Sequence, residues 1–209
     1  MGALGKQLHT GAQKLGIELT EPQQQALLAY LQLLIKWNKA YNLTAIRVPE
    51  RMVGLHLLDS LAIHPHIQDA NNIIDVGTGA GLPGVVLAIM NPDKKFTLLD
   101  SNGKKTRFLV QTKADLKLDN LTVVNDRVEA YQPPQLFDMI ISRAFASLAD
   151  MTRWCKHLLA EGGCFLAMKG QYPQEEISAI AHAYKVLAKH ELNIPQVEGE
   201  RHLLTIAPL

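Results

Sequence analysis

The chain has two cysteines among 209 residues, Cys155 and Cys164, and their separation matches no metal-binding or redox spacing. That scarcity excludes a disulfide scaffold and a thiolate metal site, so both thiols read as reduced core residues. Long apolar runs are also missing. No stretch approaches the roughly 20 apolar residues that cross a bilayer, and the N-terminus, MGALGKQLHT, lacks the apolar core of a signal peptide. Charge of one sign is scarce as well, since 21 Lys and Arg against 20 Asp and Glu leave a formal net charge of +1. No global basic field announces a nucleic acid, and such a partner would have to be held by a local patch. There is no internal repeat and no low-complexity segment. His64 and His66 have no partner at metal-ligand spacing and read as loop residues, so no metal is expected. These absences leave a cytoplasmic enzyme or binding protein, with no membrane partner and a monomer as the expected state.

What is present is the material of one α/β domain with a helical addition: 47% hydrophobic and 20% charged residues, enough for a real core. Residues 1–70 read as a small helical extension and 71–209 as the main domain. Thr20 with Gln23 is a capping box opening a long helix, on which Leu27, Leu28, Leu31, Leu34 and Ile35 form one apolar stripe. After the loop KAYNLTAIRVP a second helix starts near Pro49, with His56, Asp59, Ser60 and Ile63 on one face. From residue 72 short β-branched runs alternate with helices. Strands are predicted at 72–77, 95–100, 121–126, 137–143 and 162–169, and helices at 83–90, 103–117, 147–160 and 174–185. Ser147 with Asp150 caps the third of the helices that follow strands, and Gly162-Gly163 is expected to end it. Two further strands, in KVLAKHELN and RHLLTIAP, are expected to pair antiparallel at the sheet edge. The sum is a Rossmann-like, mostly parallel seven-stranded sheet with an antiparallel edge strand, binding its ligand above the carboxyl ends of the strands.

The segment DVGTGAGLPG (75–84) lies at the first of those ends, between NII and VVLAIM. Gly79, Gly81 and Gly84 satisfy GxGxxG, and Asp100 lies 21 residues beyond Gly79 at the end of the second strand, as in a dinucleotide site. Asp75, two residues before Gly77, weighs against a pyrophosphate, because like charges repel there. S-adenosylmethionine has no phosphate and carries a sulfonium and an ammonium, which an acid beside the turn attracts; Asp100 would accept hydrogen bonds from its ribose. The plainer alternative is that Asp75 caps the turn and the glycines permit close packing. Pro83 is expected as the first residue of the next helix.

Together DVGTGAGLPG, FTLLDSNGKKTRFL, NDRVEAY, FDMIISRAFASL, EGGCFLAMKGQ, WNKAYNLTAI and HLLDS resemble the class I methyltransferases that use S-adenosylmethionine, and more closely the ribosomal RNA small-subunit methyltransferase G family. The resemblance runs from about Thr20 to His202. It implies a class I methyltransferase fold behind the helical extension, and methyl transfer to N7 of one guanine in 16S rRNA, in the decoding region of the small ribosomal subunit or its precursor. Carried over by position, the cofactor contacts it implies are Gly77, Leu82, Val128, Glu129 and Arg143; Gly79 joins them from the turn itself. From spacing alone Glu129 reads as a solvent residue on a short helix.

Guanine N7 carries a lone pair and no proton, so no general base is expected, only placement and charge stabilisation. The sequence has no Asn-Pro-Pro-aromatic motif and no Pro-Cys nucleophile. Arg143 and Lys169 end the fourth and fifth strands and are the candidates for the catalytic or RNA side, reaching a phosphate, guanine O6 or the methionine carboxylate. The alternative for each is a salt bridge at a strand end, for Arg143 with Asp138. His56, Asp59 and Ser60 are RNA-side candidates or else a buried polar cluster. Trp37 and Tyr41 either stack on bases or belong to the core. Lys104 and Lys105 lead the best basic patch (103–117), which is equally a solvated helix face. The competing functions are an NAD-dependent oxidoreductase, a non-catalytic RNA-binding protein, and methyl transfer to a protein or small molecule.

Overall fold

A computed structural model describes residues 2–143, 145 and 147–209; Met1, and Ala144 and Ala146 of the SRAFASL segment, lie outside them. The extension begins with α1 (Ala3–Lys14) and α2 (Glu21–Tyr41). Thr20 opens α2 as its capping box: its Oγ1 accepts from Gln23 N at 3.3 Å, and Gln23 Oε1 accepts from Thr20 N at 3.0 Å. The stripe does what its spacing predicts, with Leu27, Tyr30, Leu31 and Leu34 fully buried and Leu28 and Ile35 packed at their edge. Trp37 stacks on Tyr41 with centroids 5.2 Å apart and lies 5.7 Å from Phe108, so these rings belong to the packing. The helix predicted from Pro49 forms as α3 (Pro49–Met52), a π-helical stretch (Val53–Leu58) and α4 (Asp59–Leu61). His56, Asp59, Ser60 and Ile63 are all buried there.

The sheet comprises β1 (Asn72–Val76), β2 (Lys95–Asp100), β3 (Leu121–Asn125), β4 (Phe137–Ser142), β5 (Leu159–Lys169), β6 (Tyr184–Glu191) and β7 (His202–Pro208). Their order is β3-β2-β1-β4-β5-β7-β6. Strands β1 to β5 run parallel, whereas β7 pairs antiparallel with both β5 and β6. The antiparallel strand is therefore second from the edge, and the edge strand β6 runs with the parallel set; the sequence pattern predicted both partners but not this insertion. The helical extension packs with α5 (Gly84–Met90) and α6 (Gly103–Leu116) on one face, and α7 (Leu148–Cys155) with α8 (Gln174–Ile180) covers the other. No helix among the described residues is long and apolar enough to cross a membrane.

Three expectations move. Pro83 precedes α5 as its N-cap rather than entering it, after a cis Leu82–Pro83 bond. Helix α7 stops at Cys155, and Gly162-Gly163 lies inside β5, where residues 160–163 bulge opposite Asp138. A Cβ on Gly163 would come within 2.9 Å of Asp138 O, so the glycine pair serves a strand irregularity and not a helix stop. Helix α8 ends at Ile180, because the alternating run from Tyr184 pairs with β7 instead.

Strand order reverses between β1 and β4, which opens the ligand crevice of a doubly wound sheet at their carboxyl ends. The extension reaches this point directly: Tyr30, fully buried on α2, donates its hydroxyl to Ala80 O in the glycine turn at 2.7 Å. Replacing Tyr30 by Phe leaves a buried carbonyl unpaired and is expected to cost about 1–2 kcal/mol in urea unfolding; an unchanged midpoint would contradict the role given to this bond.

Candidate functional site

The turn after β1 is built from beneath. Asp75 is 1% exposed, and its Oδ2 accepts from Thr78 Oγ1 at 2.7 Å and from Gly84 N at 2.9 Å, while Oδ1 is buried without a partner. The carboxylate that the sequence suggested would face a cationic guest is aimed inward, at the helix it helps to start. Gly84 has to be glycine here, since a Cβ would strike Leu98 and lie 2.8 Å from Asp75 Oδ2. Burial outweighs the two hydrogen bonds and raises the Asp75 pKa to about 6. Gly77 takes a left-handed φ of 67° and opens the turn. Asp100, at the end of β2, accepts from Gly79 N and from Asn102 N, each at 2.9 Å.

Above the carboxyl ends of β1, β2 and β3 lies a cleft of about 550 Å³. Gly77, Asp100, Val128 and Glu129 line it, as do Asp126, Asp150, Phe145 and Trp154, the two rings 5.8 Å apart. Four acidic residues, Asp100, Asp126, Glu129 and Asp150, and one basic residue, Arg127, line this space. A pyrophosphate there would be repelled, whereas a cationic nucleoside with ribose hydroxyls and a flat base finds acceptors and apolar walls. The charge argument first drawn from Asp75 thus rests on Asp126 and Glu129, since Asp150 is paired with Arg153 at 2.8 Å. Each Asp100 oxygen already holds one backbone N–H and keeps acceptor capacity for a hydroxyl.

On the other side of the turn a cleft of about 200 Å³ is lined by Thr44, His56, Gly77, Gly79, Leu82, Lys105 and Arg143 among others. The two motifs of the extension meet here: Thr44 Oγ1 lies 2.9 Å from His56 Nε2. Burial, and then the charge of Arg143, push the His56 pKa down to about 4, so its ring is neutral at pH 7. Ser60 Oγ is buried without a partner, away from the clefts described. Lys104 stands exposed on α6, apart from Lys105.

Arg143 pairs with Asp59 and not with Asp138: its Nη1 lies 3.0 Å from Asp59 Oδ2. Asp138 Oδ2 accepts instead from Asn71 N and Asn72 N at 2.9 Å each, bracing the start of β1. Asp59 also receives Arg201 Nε at 3.2 Å on Oδ1. Lys169 Nζ meets Glu176 Oε2 at 2.8 Å. Sequence reasoning missed Tyr30, Thr44, Trp154 and Arg201. The tie from Arg201 to Asp59 spans 142 positions and leaves no local signal, while Tyr30 could have been found from its place on the apolar stripe of α2. No cluster of three or more metal-ligating side chains occurs among the described residues.

A family model described as GidB, rRNA small subunit methyltransferase G, matches residues 23–204. Proteins called ribosomal RNA small subunit methyltransferase G are 56% identical in Ectopseudomonas mendocina and 55% in Pseudomonas aeruginosa, each over 96% of this chain and 94% of the relative. Among solved structures, the glycopeptide N-methyltransferase MtfA complexed with S-adenosylmethionine aligns with a TM-score of 0.59 at 9% identity, covering 73% of this chain and 94% of that one. A SAM-dependent methyltransferase from Thiobacillus denitrificans with S-adenosylhomocysteine aligns at 0.56 and 10% identity, over 72% and 91%. The likeness to these two is one of fold.

A prediction follows from the raised acid. Between pH 7 and 5 the folded protein takes up a proton at Asp75 that the unfolded chain does not, so this site contributes more stability as pH falls and loses it as pH rises through about 6. Relative to Asp75→Asn, the wild type should gain about 1 kcal/mol on going from pH 7 to pH 5 in paired denaturant titrations. A constant difference would mean that Asp75 titrates normally.

Proposed function

Because the chain belongs to the rRNA small subunit methyltransferase G family, we propose that it transfers methyl from S-adenosylmethionine to N7 of one guanine in 16S rRNA, in the decoding region of the small subunit or its precursor. The work is cytoplasmic, and the chain acts as a monomer, with residues 1–70 as an extension to a catalytic domain of 71–209. One observation carries the reading beyond the family: beside the acid-lined cleft for a cationic nucleoside, Arg143, Lys169 and Arg201 converge on a second cleft that holds a single carboxylate, Asp59, and suits a polyanion.

The residues fit this cofactor. Asp100 and Glu129 offer acceptors to ribose hydroxyls, Val128 and Phe145 give an adenine its walls, and Gly77 leaves backbone bare at the turn. Leu82 and Arg143 line the smaller cleft across the turn, where Arg143 meets the methionine end or the target base. When bound, the cofactor supplies a methyl group on a sulfonium, a leaving group that needs no protonation. N7 needs no deprotonation either, so the reaction asks no residue to act as a general base. The neutral His56 and the ion-paired Arg143 therefore act by position and charge, and no side chain has a proton to move. On this reading Lys169, Lys104 and Lys105 contact RNA phosphates, and His56, Asp59 and Ser60 support the RNA side from within. A dinucleotide reading of the overlapping GxGxxG loses its ground to the four carboxylates around the cleft.

The test is incubation with labelled S-adenosylmethionine and small subunits lacking the modification. One labelled guanine, mapped to N7, is expected, and Arg143→Ala should reduce transfer about 10–100-fold. No label in 16S rRNA from a protein that binds the cofactor would contradict the proposal.

A further inference from the structure

Three cations converge on a cleft of about 240 Å³ that shares no lining residue with the acid-lined one. Its walls include Arg143 from the end of β4, Lys169 from the end of β5, and Arg201 and His202 from the start of β7, with Asp59 of α4 between the guanidinium groups. The sheet itself brings two of these together, because Lys169 stands opposite His202 in the β5–β7 pairing. Asp59, 3% exposed, spends one oxygen on Arg143 and the other on Arg201.

The charges do not balance. Among the residues lining this cleft, Arg143, Lys169 and Arg201 meet a single carboxylate, Asp59, while Glu176, the partner of Lys169, lies with Glu175 in the adjoining cleft. One buried carboxylate that holds two guanidinium groups also holds two like charges close together, an arrangement that an incoming anion relieves. Both arginine side chains remain about a third exposed, at 33% and 29%, so the donors are accessible from the cleft. Guanidinium forks match phosphate geometry, and two of them on one fixed acid are preorganised for it. The cleft continues into a larger one of about 640 Å³ through Arg143, Lys169 and Gly170, giving a strand room to pass.

We infer that this cleft binds a backbone phosphate of the RNA strand carrying the target base, with Arg201 as a principal ligand and Asp59 holding the two guanidinium groups in place. The inference rests on the RNA-methyltransferase reading above. It assigns the anion to RNA and not to the cofactor's carboxylate on the strength of Arg201, which lines neither the acid-lined cleft nor the smaller cleft across the turn, whereas Arg143 borders the latter as well.

The experiment measures binding of wild type, Arg201→Gln and Arg201→Lys to small subunits over a range of KCl with S-adenosylhomocysteine present, alongside calorimetric binding of S-adenosylmethionine and methyl transfer. Arg201→Gln should weaken subunit binding about tenfold, reduce the slope of log K against log salt by about one, and leave cofactor affinity unchanged. Arg201→Lys should keep the slope and recover part of the affinity. Equal slopes and affinities for wild type and Arg201→Gln would overturn the inference. So would a loss of cofactor affinity with an unchanged slope, since the anion would then be the cofactor's carboxylate. Failure of the wild type to methylate 16S rRNA while it binds subunits in an Arg201-dependent way would sink the functional reading and leave the phosphate site standing.

Discussion

The site depends on one buried carboxylate. Asp75 accepts from Thr78 and Gly84 across the glycine turn, and these two bonds fix where β1 ends and α5 begins. Asp100 adds the other anchor by taking Gly79 N. With the turn pinned from below, its upper surface is left bare, and the cleft over β1 to β3 acquires a floor of fixed shape. The cost is a carboxyl group kept in a dry place, with one oxygen unpaired and its pKa raised to about 6.

The helical extension is wired into this arrangement rather than appended to it. Tyr30 holds Ala80 from one side, Thr44 and His56 face the turn across a small cleft, and Asp59 fixes Arg143 at the crevice where strand order reverses. Three segments of the extension therefore touch three parts of the site. His56 stands within the π-helical stretch Val53–Leu58. Removal of the extension would release the turn, the neutral imidazole and the arginine together.

Much of this was legible in the sequence. The alternation from residue 72 foretold five parallel strands, Thr20 with Gln23 and Ser147 with Asp150 foretold the caps of α2 and α7, and the motifs foretold the family. What escaped was set by partners far along the chain. The inward aim of Asp75 follows from an amide nine residues away, which residue type alone does not announce. Arg143 follows β4 directly, yet its mate comes from 84 positions upstream. Glycines mislead in a related way: Gly162-Gly163 reads as a helix stop by propensity, but a β-bulge has the same need for bare backbone. The reversal of β7 into the sheet, inside β6, is a tertiary choice that strand patterns do not encode.

The central claim is that Asp75 acts through the shape of the turn and not by attracting a positive charge. Calorimetric affinities of wild type and Asp75→Asn for S-adenosylmethionine and for the uncharged thioether S-adenosylhomocysteine separate the two directly. If Asp75 shapes the turn, the substitution changes both affinities by the same factor and their ratio stays constant. A selective loss of tenfold or more for the sulfonium ligand would contradict the account.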